Sequence, residues 1–192
     1  MNKCKRPLND DEFKLLIDTI RHGYRDENGV LHRPNEQAAL AIWLEGTIGL
    51  RVGDICRITL NHFYQQNDQE WYIRIIEQKT NKQRNFLVPV SIKDELFNYC
   101  LDHDIKRNER VIKIGTRAIQ KQIENASRHL GLDGIGTHSA RKRFANNIYQ
   151  TTNDLFLLST ILNHSNVNIT KRYVTINATN IKEALAINAC DF

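Results

Sequence analysis

Apolar residues follow a helical spacing through most of this chain and a strand spacing in one stretch near its middle. At the start, Phe13, Leu16, Ile17 and Ile20 fall at i, i+3, i+4 and i+7 behind Asn9, with Glu12 three residues after it. That is the pattern of a capped amphipathic helix beginning close to the N-terminus. A polar turn with Gly23, Gly29 and Pro34 leads to a second helix over about Asn35 to Glu45, and Gly46 and Gly49 then precede a short third helix, about Gly53 to Leu60. From Trp71 to Gln78 the period changes to two, with Trp71, Ile73 and Ile75 alternating with Tyr72, Arg74 and Ile76. The apolar run Phe86 to Val90 follows, across the polar stretch Lys79 to Arg84, which predicts a β-hairpin with a basic tip. Helical spacing then returns. Ser91 is placed to cap a helix through Cys100, Thr116 to cap one carrying Ile119, Ile123, Ala126 and Leu130, and Gly131 to Gly136 form a turn. Further helices are predicted over about Arg141 to Tyr149, Asp154 to Asn163, Ile169 to Val174 and Ile181 to Ile187. Without an internal repeat, a low-complexity tract or a Pro-rich linker, the expected architecture is a single α+β domain over residues 1–192, mainly helical with a small antiparallel β-sheet.

Composition narrows the function classes. No apolar run approaches the roughly 20 residues of a membrane span, and the start MNKCKRPLNDDEF lacks the apolar stretch of a secretory signal, so a cytoplasmic protein without membrane contact is expected. Cys4, Cys56, Cys100 and Cys190 are scattered with no C-x-x-C pair, which encodes neither a zinc site nor a disulfide framework. A net charge of +5 points toward a polyanionic partner. Seven basic residues against two acids between Lys106 and Arg128 fit that partner, and fit a solvated helix face equally well.

Three segments carry candidate chemistry. In Gly49-Leu50-Arg51-Val52-Gly53-Asp54 an arginine opens a helix after a glycine turn, and Asp54 at i+3 is placed to hold its guanidinium while other donors stay free for an oxyanion. Taken alone, this favours a plain surface ion pair. In Thr137-His138-Ser139-Ala140-Arg141-Lys142-Arg143, His138 and Arg141 lie at i, i+3 where a helix begins, so a phosphate could meet a bidentate donor and a titratable imidazole together. A capping Thr137 followed by a solvated basic turn is the plainer reading of that segment. The third, Leu162-Asn163-His164-Ser165, is followed by Tyr173 nine residues after the histidine. By itself Tyr173 would be a half-buried tyrosine with a polar partner for its hydroxyl.

Taken in order, Gly-Leu-Arg, a basic hairpin, H-x-x-R and Leu-x-His-Ser with its tyrosine resemble the catalytic domain of the tyrosine recombinases, the phage-integrase family, over about Pro7 to Ile187. The resemblance implies an integrase-like fold and assigns Arg51 and Arg141 as the catalytic arginines, Lys79 as the hairpin lysine, His138 as the central histidine, His164 as the late histidine and Tyr173 as the nucleophile. Lys82 shares the hairpin tip with Lys79 and stays open as an alternative for the lysine. Gly53, Ala140 and Lys142 depart from the residues usual in the family, which bears on local packing. The implied activity is site-specific cleavage and rejoining of double-stranded DNA through a covalent 3′-phosphotyrosine, with no metal and no cofactor. Lys82, Arg84, Lys142 and Arg143 are expected to touch the DNA, with Asp54 supporting Arg51. The family's helical module ahead of this domain is expected to be absent, which would mean either an excised catalytic fragment or a naturally short enzyme. A homotetramer on DNA, a monomer in its absence, and a nucleoid location complete the expectation. The alternatives are a catalytically idle DNA-binding relative, a type IB topoisomerase-like enzyme and, more remotely, a helical interaction module.

Overall fold

A computed structural model of the chain describes residues 5–66, 70–164, 166–171 and 173. Cys4, Cys190 and the predicted helix Ile181 to Ile187 lie outside the described residues, as does Val174.

Helix α1 (Asp10–His22) begins at the Asn9 cap, whose side chain accepts from the Glu12 amide while Glu12 reaches back to the Asn9 amide. Two orphan donors are thereby satisfied, and Asp10, Asp11 and Glu12 sit where the helix dipole favours acids. Its buried stripe, Phe13, Leu16, Ile17 and Ile20, faces α2 (Glu36–Ile48). A short ladder, β1 (Tyr24–Arg25) with β2 (Leu31–His32), joins the two helices.

Helix α2 is the centre of the molecule, with α1, α3 (Val52–Ile55), α5 (Thr116–His129) and α6 (Ser139–Thr152) all packed on it. That position explains Ala38, Ala39 and Ala41, which are buried and small enough to let neighbouring backbones approach. The same crowding fixes Gly46, where a Cβ would stand 2.4 Å from the Phe13 ring.

A 3₁₀ turn (Leu60–His62) and β3 (Phe63–Gln65) lead into the hairpin of β4 (Trp71–Ile76) and β5 (Gln83–Val88). The sheet is antiparallel in the order β3-β4-β5, with Trp71 opposite Val88 and Ile76 opposite Gln83. Ile73 and Ile75 are buried while Arg74 and Ile76 face outward, the period-two alternation of a sheet with one solvated face. Helix α4 (Val90–Asp102) follows, then α5, α6, α7 (Leu155–Ile161) and the short α8 (Val167–Thr170).

Several expected boundaries shift. Ser91 and Thr116 lie inside their helices, which begin after Pro89 and Gly115. Helix α6 starts at Ser139 instead of Arg141, and the third helix ends at Ile55. The main core gathers residues from Leu8 to Ala140. A separate cluster of Ala145, Leu158 and Leu162, with Phe144, Ile148, Tyr149 and Tyr173 against it, fills the space between α6 and α7. Among the described residues, no helix is long and apolar enough to cross a membrane.

Candidate active site

The site is organised around the turn between α2 and α3. Gly49 closes α2 in the left-handed region at φ 61°, and a Cβ there would stand 2.4 Å from the Phe144 ring, so both conformation and space call for glycine. Its carbonyl is turned to accept from two guanidiniums, Arg84 at 3.1 Å and Arg141. Two residues on, Arg51 sits in extended backbone as the N-cap of α3.

Arg141 is wholly buried. Besides Gly49 it donates to the Leu162 carbonyl at 3.2 Å, and its Nη2 lies 3.3 Å from Nε2 of His164. Since a guanidinium can only donate, Nε2 is the acceptor, the imidazole proton is on Nδ1, and Nδ1 donates to the Thr170 hydroxyl at 2.9 Å. Burial, with Arg141 and Arg51 adding their charge, pushes the His164 pKa down to about 4. His164 is therefore a neutral ring at physiological pH. The Tyr173 ring is tilted against it at a centroid distance of 5.2 Å and lies 5.7 Å from the Arg141 guanidinium carbon. Nε of Arg141 is buried and has no hydrogen-bond acceptor among the described residues.

Arg51 is held by Glu77 at 2.8 Å, and Arg84 lies 3.8 Å from the other oxygen of the same buried carboxylate. Thr80 donates to Glu77 at 2.9 Å. Burial alone would raise the Glu77 pKa, but the neighbouring Arg51, Thr80 and Arg84 outweigh it and hold the carboxyl below its ordinary range. Arg84, deep beside this carboxylate, is pushed down to about 9 by burial and by Arg141, and stays charged at neutral pH.

Asp54 takes a different part from the one expected. Its Oδ1 accepts from the Gln78 amide at 2.8 Å, so it ties the hairpin to α3 while Glu77 holds Arg51. The reason is geometric: the chain leaving β4 meets α3, so that Gln78 takes Asp54 and the adjacent Glu77 takes Arg51. Anchored this way, Lys79 reaches a cleft of about 220 Å³ that it lines with Arg51, Gly53, Asp54 and His138. Lys82 is exposed in the turn just before β5. His138, the N-cap of α6, is exposed on that cleft, with Nδ1 3.9 Å from Oε1 of the buried Glu45. Burial raises the Glu45 pKa, partly offset by His138 and Arg141.

The residues expected to touch DNA fare unevenly. Arg84 is buried, with its guanidinium on the Gly49 and Ile48 carbonyls and over the Phe86 ring, so it buttresses the site and does not present a charge to solvent. Arg143 is engaged by Asp10, the first residue of α1, at 2.7 Å and by the Gly46 carbonyl at 3.0 Å, with α6 packed on α2 there. Lys142 donates to the Lys5 carbonyl. In all three a long-range acceptor engages the cation, which sequence position alone does not reveal.

Glu45 and Glu77 are two buried carboxylates of the candidate site that do not stand out in the sequence as site residues. Both nevertheless leave a faint signal. Glu45 interrupts the apolar run Ala38 to Ile48, and Glu77 continues the inward parity of Ile73 and Ile75. Arg84, opposite Ile75 in the ladder, is on that inward face by the same rule.

The phage integrase family's sequence model matches residues 6–180. The probable integrase/recombinase YoeC of Bacillus subtilis strain 168 is 35% identical over 145 residues, covering 72% of this chain and 77% of that protein. Among solved structures, the XerH site-specific recombinase bound to a palindromic difH substrate, in a post-cleavage complex, superposes with a TM-score of 0.71 at 20% identity, covering 97% of this chain and 54% of XerH. The chain thus spans about half the length of that protein. The catalytic domain of bacteriophage HP1 integrase gives 0.66 at 18% identity, with 96% of this chain and 95% of that domain covered. A match of this extent, on a fold whose central turn gathers the arginines, late histidine and tyrosine read from the sequence, means that the chain belongs to the phage integrase family.

Proposed function

We propose that the protein is a tyrosine site-specific recombinase that cuts and rejoins double-stranded DNA through a covalent phosphotyrosine at Tyr173. The observation that carries this reading is the grouping of Tyr173 and His164, nine residues apart, around the buried guanidinium of Arg141, which comes from a separate helix, α6.

A phosphodiester resists attack because its charge repels nucleophiles and its alkoxide is a poor leaving group. Arg51 and Arg141, aimed at the non-bridging oxygens, stabilise the charge of the pentavalent transition state. For His164 to add a hydrogen bond, Nε2 must exchange its role as acceptor from Arg141 for that of donor, a change the Thr170 hydroxyl tolerates because it can donate as well as accept. The Tyr173 oxygen bonds to phosphorus as the bond to the 5′-oxygen breaks, with Lys79 supplying the proton to that oxygen and His138, backed by Glu45, receiving the phenol's proton. Attack on the phosphotyrosine by a 5′-hydroxyl then reverses these steps and restores the phosphodiester. In the working complex we read four protomers on DNA, the free chain being a monomer and the location the nucleoid.

Tyr173→Phe is expected to abolish the denaturant-resistant protein–DNA adduct on a target-site duplex while leaving DNA binding in place, as read by denaturing gel and mobility shift. Undiminished adduct in the variant would refute the assignment.

A further inference from the structure

Beside the cleft that holds Arg51, Lys79 and His138 there is a second one, larger at about 470 Å³, and Asp54 lines both. Its wall carries Arg57, Arg74 and Arg110, together with His62, Asn108 and Gln83. The arginines come from three separate stretches of chain. Arg57 follows α3, Arg74 is on the outward face of β4, and Arg110 precedes α5. A backbone bond from Val111 to the Ile58 carbonyl at 2.9 Å pins the neighbouring residues Arg57 and Arg110 side by side. Arg110 is near enough to Cys56 for its charge to act on that thiol, and Arg74 lies over the Tyr64 ring at 4.8 Å.

None of these guanidiniums forms an ion pair among the described residues, and the one carboxylate in the lining, Asp54, is buried with an oxygen on the Gln78 amide. His62 adds a donor: its Nδ1 accepts from the Thr59 amide at 3.0 Å, which puts the ring proton on Nε2. Asn108 and Gln83 bring carboxamide N–H groups. Like charges held together in a concave wall, in no ion pair among the described residues and beside neutral donors, match a phosphate-bearing ligand.

We propose that this second cleft takes the DNA backbone next to the phosphate that is cut, so that the strand runs from Lys79 past Asp54 and onto Arg57, Arg74 and Arg110. The inference rests on the recombinase reading above and adds to it a substrate contact outside the catalytic group. Because phosphate contacts carry no base information, the cleft would strengthen binding to any sequence alike.

The test is duplex binding across a salt series with a DNA of generic sequence, using the full chain. The triple variant R57Q/R74Q/R110Q is expected to give a plot of log affinity against log salt that is shallower by roughly two to three, since each lost phosphate contact removes about 0.9 from the slope. The single variants R57Q and R110Q, at exposed positions, are each expected to flatten it by about one and guard against misfolding of the triple. Wild-type slopes and affinities in the single variants, with wild-type protein binding normally, would overturn the cleft alone. Absence of salt-sensitive duplex binding by the wild-type protein would instead remove the DNA reading on which it stands.

Discussion

At the scale of single residues, His164 shows how a site sets the protonation of its own parts. With its pKa pushed from 6.5 down to about 4 in the folded state, the folded protein resists a proton that the unfolded chain accepts. Its contribution to stability is therefore complete above about pH 6.5 and is lost as pH falls from there toward about 4. Urea titrations across this window should give a wild-type stability that declines with acidification and a His164→Asn variant that declines less steeply. Identical slopes in the two proteins would mean that the ring is not held neutral. Glu77 works in the opposite sense to an isolated buried acid. Flanked by Arg51 and Arg84, it stays ionised, and it leaves Arg51 oriented along the cleft wall with Lys79 and His138.

At the scale of elements, the turn from α2 to α3 bears the most constraint. Gly49→Ala would force an L side chain into φ 61° and set its Cβ against the Phe144 ring. A loss of about 1–3 kcal/mol in unfolding free energy is expected, measured by denaturant titration. Cleavage should fall further than stability alone explains, because the displaced carbonyl is the shared acceptor of Arg84 and Arg141. A variant with wild-type stability and rate would contradict this account of the turn.

The elements also divide into those readable in the sequence and those that are not. Helix α1 is legible because its cap, its acids and its buried stripe are all local to one segment. The β4–β5 hairpin is legible from period-two alternation and a polar tip. By contrast β1, β2 and β3 are two or three residues long, too short to carry a period, and are held by partners across the ladder. The candidate catalytic residues stand out because several motifs occur in a fixed order, whereas the groups that hold them do not. Asp54 is three residues from Arg51 and serves Gln78; Glu77 is far along the chain and serves Arg51. A sequence spacing favours the nearer partner, and the register of β4 decides for the farther one.

At the scale of the whole molecule, the site straddles two bodies of apolar packing. Arg84 lies over Phe86, which packs on the main core, while Tyr173 packs against the small cluster of Ala145, Leu158 and Leu162. Arg141 bridges them, donating to Gly49 on one side and to Leu162 on the other. Tyr173, the proposed nucleophile, is thus carried by the smaller of the two apolar clusters, the one with fewer buried apolar groups to hold it.

In the proposed mechanism Arg51 and Arg141 act on the same phosphorus that Tyr173 attacks. Cleavage rates on a target duplex carrying either a normal phosphodiester or an uncharged methylphosphonate at the cut position test it most directly. Arg51→Ala and Arg141→Ala are each expected to lose about a hundred- to a thousandfold on the phosphodiester. On the methylphosphonate, which has one fewer charged oxygen to neutralise, each loss should be much smaller. Equal losses on the two substrates would contradict the account, since the guanidiniums would then be acting somewhere other than on that phosphate.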